Sequence, residues 1–195
     1  MIKSQQEKLL KLQSDYLSIG ITEDGQAFSV IGVPWVRTSH AFNMKLPDIY
    51  ITPEDLSDEK IVNALLEREV LGCYIYAPLK DYNFLSRFVH IRDLSIKNGD
   101  NVRSLDFLKN LTDCSMLFLQ NAQLENLDII MHMRKAKKSI FGGFNCVGLD
   151  NCTVQDLSIF EREKHCFSEF LVWGDLNQKD RWAKVVADTK RFYEI

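Results

Sequence analysis

Residues Leu94 to Leu127 read LSIKNGDNVRSLDFLKNLTDCSMLFLQNAQLENL. One phrase occurs twice in this stretch: an alternating apolar segment, a polar turn, then a return leg of spaced leucines. Alternation sends successive side chains to opposite faces of a strand, so Leu94 and Ile96 share one face, as do Leu117 and Leu119. One such phrase cannot bury its own apolar edge. Stacked copies can, if each strand pairs in parallel with the next and the inward residues form a continuous core.

Working outward, five segments share the skeleton apolar-x-x-apolar-x-apolar. They are Leu71/Tyr74/Tyr76, Ile91/Leu94/Ile96, Cys114/Leu117/Leu119, Phe144/Val147/Leu149 and Phe167/Phe170/Val172. Their middle positions follow one another at 20, 23, 30 and 23 residues. Two copies agree further, CSMLFLQNAQLENL at 114–127 and FNCVGLDNCTVQDL at 144–157. Each has its strand, then Asn, a small residue, a gap, an apolar residue and a closing Leu.

This pattern resembles the leucine-rich repeat, whose unit reads L-x-x-L-x-L-x-x-N/C-x-L. The resemblance covers residues 71–175 and is to a divergent, bacterial-type member. Cys152 matches the family's Asn/Cys position and Ala122 does not; Asn121 and Asn151 fall one residue early. The implied fold is α/β: a short, irregular leucine-rich-repeat-like solenoid with parallel strands. An N-terminal α+β segment caps one end and a C-terminal helix the other. A right-handed parallel β-helix is the runner-up, disfavoured because the return legs look helical in places.

The flanks fit that plan. Residues 1–70 read as a cap of helix, hairpin and helix. Ile2, Leu9, Leu12 and Tyr16 have roughly helical spacing, and Leu17 to Val30 alternate about an Asp24-Gly25 turn. Thr52-Pro53 then opens a helix expected over 53–69, with Ile61, Val62, Leu65 and Leu66 as its apolar stripe. Within the repeats, Val102, Leu105, Leu108 and Leu111 read as one return leg, and Leu124 to Lys138 as a helical one ended by Gly142-Gly143. Residues 176–195 read as a rear capping helix carrying Trp182, Val185 and Val186, with Phe192 close by.

Composition narrows the function. Apolar residues make up 46% and charged residues 26%, which suits a packed domain. The net charge of −3 gives no whole-domain attraction to nucleic acid. No apolar run is long enough to span a membrane, and the start MIKSQQEKLLKLQSDY lacks a secretory core. Five scattered cysteines without a CxxC pair fit free thiols. A cytoplasmic protein is therefore expected, with no membrane partner.

The chemical motifs are weak. Arg134-Lys135-Ala136-Lys137-Lys138 reads as a solvated helix end rather than a nucleic-acid patch. The four histidines show no metal-ligand spacing, so no metal or cofactor is expected. No nucleophile elbow, phosphate loop or dinucleotide fingerprint appears, and the chain is expected not to be an enzyme.

What remains is the outward face of the strands. The column between the two inward positions is expected to hold Ile75, Ser95, Phe118, Gly148 and Leu171. Beside it lie Ala77, Lys97, Gln120, Asp150 and Trp173, and on the other side Cys73, Asp93, Met116, Cys146 and Glu169. Met116, Phe118, Leu171 and Trp173 are more apolar than a solvated face needs, which signals interaction. The expected site is therefore Met116, Phe118, Gln120, Asp150, Leu171 and Trp173, binding a protein partner. The alternatives are a self-associating structural or immunity-type factor, and an enzyme whose site is assembled from distant loops.

Overall fold

A computed structural model describes residues 16–27, 47–111, 116–129, 146–162, 169–173 and 192–194, with single positions at 7, 9, 11 and 114. The protein is α/β, and its described residues form few helices and a parallel sheet. The strands are β1 (Tyr16–Ile21), β2 (Ile49–Ile51), β3 (Glu69–Ile75), β4 (Asp93–Ile96), β5 (Met116–Gln120), β6 (Gln123–Leu124), β7 (Cys146–Asp150), β8 (Thr153–Val154), β9 (Glu169–Trp173) and β10 (Phe192–Glu194). Eight of them form one sheet in the order β10-β9-β7-β5-β4-β3-β1-β2. Every pairing in it is parallel. From β3 to β10 each new main-sheet strand lies beside the one before it, and β6 and β8 form a second parallel pair on the return side.

The inward residues meet in register. Leu94 faces Leu117, Leu117 faces Val147, and Val147 faces Phe170. Leu94, Leu117 and Val147 are at most 1% exposed. The return leg Val102, Leu105, Leu108 and Leu111 is equally buried and joins the same core. The two best-matched copies also pair beyond their strands. Leu124 faces Val154, and Thr153 and Gln155 donate their backbone N–H to the carbonyls of Ala122 and Leu124. Backbone groups on both sides of the turn are thus satisfied by the neighbouring copy.

One capping device recurs along the return legs. The side chains of Asp81, Ser104, Asn126 and Asp156 each accept the backbone N–H two residues on, at 2.8 to 3.2 Å. Short polar side chains open helical turns in this way. Tight 3-10 turns follow at Asn83–Arg87 and Asp106–Leu108, and a short helix at Ile159–Arg162. The return leg from Leu124 therefore begins as strand β6 and turns helical only at 128–129. Its continuation to Lys138 lies outside the described residues.

Three sequence expectations are corrected. First, Cys73 rather than Tyr74 faces Leu94, so the first repeat spacing is 21 residues. Leu17 faces Val70 and Ser18 faces Gly72, leaving Leu71 as an extra residue in β3 that shifts the pattern by one. Second, β1 is not half of a hairpin. At Ile19–Ile21 it has β2 on one edge and β3 on the other, both parallel, so no edge is left there for an antiparallel partner. Third, the helix expected over 53–69 is two pieces, a 3-10 turn at Glu54–Ser57 and helix α1 at Glu59–Leu66. Asp58 is extended between them and caps α1, its Oδ1 accepting Lys60 N–H at 2.9 Å. Thr52 and Asp55 bond reciprocally at the start of the first piece, Thr52 N and Oγ1 donating to Asp55 Oδ2 at 2.7 and 2.9 Å.

The ends are partly described. Residues 7, 9 and 11 are helical, with Leu9 buried against the core. Phe192 to Glu194, expected within the capping helix 176–195, are instead strand β10, paired with β9. The rear helix expected around Trp182, and the basic run 134–138, lie outside the described residues.

Candidate functional site

The register orders the outward face of the sheet. Its central row is Tyr50, Gly20, Tyr74, Ser95, Phe118, Gly148, Leu171 and, one strand further, Tyr193. Large and small residues alternate along most of it, and the glycines have a steric reason. A Cβ on Gly20 would lie 2.7 Å from Tyr50 Cδ1, so the Tyr50 ring occupies that space. A Cβ on Gly72 would lie 2.8 Å from Ser18 Oγ and 2.9 Å from Tyr74 Cε2.

From Tyr50 to Gly148 this row is not open to solvent. Tyr50, Tyr74, Ser95 and Phe118 are 8%, 2%, 4% and 4% exposed. Phe118 was expected as an exposed contact and is instead buried within the chain. Ile75 and Ala77 were expected outward; Ile75 faces the core at 0% exposed, and Tyr74 and Tyr76 take the outward columns. Burial pushes the phenols of Tyr74 and Tyr76 well above their ordinary value, with the Asp93 carboxylate adding to the effect at Tyr74.

The row at the carboxyl ends of the strands is more open. Tyr76, Lys97, Gln120 and Asp150 are all half-buried. Gln120 Nε2 donates to Asp150 Oδ2 at 2.7 Å across β5 and β7, and Lys97 Nζ sits 5.7 Å from the centre of the Tyr76 ring. Met116, in the opposite row, is half-buried and faces Asp93 and Cys146. The backbones of Leu171 and Trp173 fall in register with Gly148 and Asp150; their side chains lie outside the described residues. The structure therefore brings Met116, Gln120 and Asp150 to one accessible face and withdraws Phe118 from it.

A second feature escaped the sequence. A cavity of about 570 Å³ opens beyond the carboxyl ends of β1, β2 and β3. Glu23 follows β1, Pro53 to Ser57 follow β2, and Pro78 to Phe84 follow β3. Its walls are held by side chains. Asp24 Oδ1 accepts Gln26 N–H at 3.0 Å, and Asp55 holds Thr52. Asn101 Nδ2 donates to Leu79 O at 2.9 Å, and Tyr82 OH donates to Asn98 O at 3.1 Å. Crevices at the carboxyl ends of parallel strands are common ligand sites. The three walls are far apart in the chain, so no local motif could have announced the cleft.

Among the described residues, no group of three or more His, Cys, Asp or Glu side chains is placed to hold a metal ion. No described helix is long and apolar enough to cross a membrane. No protein-family model, curated protein or solved structure matches the chain.

Proposed function

We propose that the chain is a leucine-rich-repeat-like solenoid that works as a non-catalytic protein-binding module. Its contact surface is the outward sheet face around Met116, Lys97, Gln120 and Asp150. The observation that carries this reading is the shared register of β3, β4, β5, β7 and β9, which lines these side chains up on neighbouring strands. Repeats stacked this way present a broad rigid surface, and such surfaces recur as protein-binding faces. The step from fold to binding is an analogy, supported by a face that mixes half-buried polar and apolar groups. Phe118 and Tyr74 lie in the central row of the same face, where they are buried.

The test is affinity capture from native lysate with mass spectrometry, run beside Asp150→Lys and Met116→Glu. These sites are half-exposed, so the variants should keep the wild-type thermal midpoint. A specific partner retained by the wild type and lost from both variants is the expected result. Equal capture by all three proteins would remove the face from consideration. Light scattering on the same samples reads the competing outcome, a concentration-dependent dimer lost in Met116→Glu, which would assign the face to self-association.

A further inference from the structure

We propose that the cleft beyond the carboxyl ends of β1, β2 and β3 binds a short basic and apolar peptide segment of a partner protein. Its Lys or Arg heads would lie against Glu23, Glu54 and Asp81, and an adjacent apolar side chain against Leu56 and Phe84. This site is separate from the sheet face and does not depend on it.

The charge balance selects the occupant. Among the described residues, three carboxylates and one ammonium, Lys80, line the cleft, and none of the four forms an ion pair with another described residue. With carboxylates outnumbering the ammonium, the concave site is net negative and favours a cation over an anion. The apolar lining selects further. Leu56 and Phe84 are only partly buried where they pack against the core, and both line the cleft beside Pro53 and Pro78. Lys and Arg combine an apolar stem with a charged tip, and a guanidinium can stack on a ring such as that of Phe84. A polyamine would meet the carboxylates but would cover little of this apolar lining. At about 570 Å³ the cleft takes a few side chains, not a folded domain. The walls are already held by the Thr52–Asp55 and Asn101–Leu79 hydrogen bonds, so little ordering is needed on binding.

The test is fluorescence anisotropy on the full chain, with a labelled peptide Ala-Leu-Arg-Leu-Lys-Ala as the probe. The expected result is saturable binding that weakens with added salt. Affinity should fall about tenfold in Glu23→Gln/Glu54→Gln, and the thermal midpoint should not move. A peptide with Glu in place of Arg and Lys should not bind, and one with Gly in place of both Leu should bind more weakly. The Asp150→Lys protein should bind the probe as the wild type does, which keeps this result apart from that of the sheet face. No binding of the probe, equal binding of the acidic peptide, or full affinity in the Glu23→Gln/Glu54→Gln protein would overturn the proposal. Displacement of the probe by an equal concentration of spermidine would assign the cleft to a small polyamine and overturn it as well.

Discussion

Asn151 donates its side-chain amide to Asn121 Oδ1 at 2.8 Å, each residue standing at the same point of adjacent turns. Both have positive φ, 50° and 62°, in the left-handed region that Asn tolerates better than most residues. These two asparagines end their strands by turning the backbone. One residue on, Cys152 bonds across the two turns: its thiol donates to Leu119 O at 3.3 Å and accepts Ala122 N–H at 3.4 Å. Asn151→Ala should lower stability by about 1–2 kcal/mol, from left-handed strain and the lost hydrogen bond. Asn151→Gly relieves the strain and should fall between the two. Urea denaturation gives the ranking, and an Ala variant as stable as the wild type would contradict it.

Gly99 has no room for a side chain. A Cβ there would lie 2.7 Å from the backbone oxygen of Gln120, the same atom that accepts Gly99 N–H at 2.9 Å. Gly99→Ala must push two turns apart and should destabilise by about 1–3 kcal/mol. Gly20→Ala presses instead on the Tyr50 ring, which can tilt, so its loss should be smaller. Thermal melts of the two variants side by side check the order.

Buried Asp55 holds the turn after β2. It is 5% exposed and accepts from both the backbone and the hydroxyl of Thr52. Asp55→Ala leaves those donors without this acceptor and should cost about 1–2 kcal/mol. Because this turn is one wall of the cleft, the variant should also weaken binding of the basic peptide. Asp55→Ala with wild-type stability and wild-type peptide affinity would disprove both statements.

Alkaline pH should unfold the protein early. Burial raises Cys73 above its ordinary 9.0 and raises Tyr50, Tyr74 and Tyr76 above 10.0, and it pushes Tyr82 up to about 12. The folded chain then holds protons that the unfolded chain releases. Their contribution to stability is whole below the ordinary values of 9.0 and 10.0. It falls as pH rises past them, and for Tyr82 the fall continues through about 12. The urea midpoint should therefore be level up to about pH 8 and drop steadily above about pH 9. A midpoint unchanged up to about pH 11 would show that these groups are not buried as described.

Parts of the fold were legible because one face of a strand was apolar and the other was not. Around Leu94 and Leu117 alternation assigned the faces correctly, and the 30-residue offset between the two best copies is the observed register. In Val70-Leu71-Gly72-Cys73-Tyr74-Ile75 nearly every residue is apolar or small, because Tyr74 is buried on the outward side as Cys73 is on the inward side. Alternation carries no information there, and the extra residue Leu71 shifted the reading by one. The hairpin reading of β1 failed for a related reason. An Asp-Gly turn signals a local partner, whereas β1 pairs with β2 and β3 from about 30 and 50 residues away. Met116, Phe118, Gln120 and Asp150 fall on one face as read, whereas Cys73, Ile75 and Ala77, expected outward, belong to the core. The burial of Phe118 was not legible, because it depends on what packs over it.

By itself the amino-acid order determined which side chains turn inward along β4, β5 and β7, where the turns after β5 and β7 fall, and that the chain is α/β. Those properties are local, set by alternation, by short polar caps and by Asn at left-handed turns. Only the tertiary structure decided which strands are neighbours at the front of the sheet, that Phe118 and Tyr74 are buried, and that Glu23, Glu54 and Asp81 share one cleft. Parallel pairing joins segments distant in the chain through backbone groups common to every residue, so composition and spacing leave that choice open until the whole core packs.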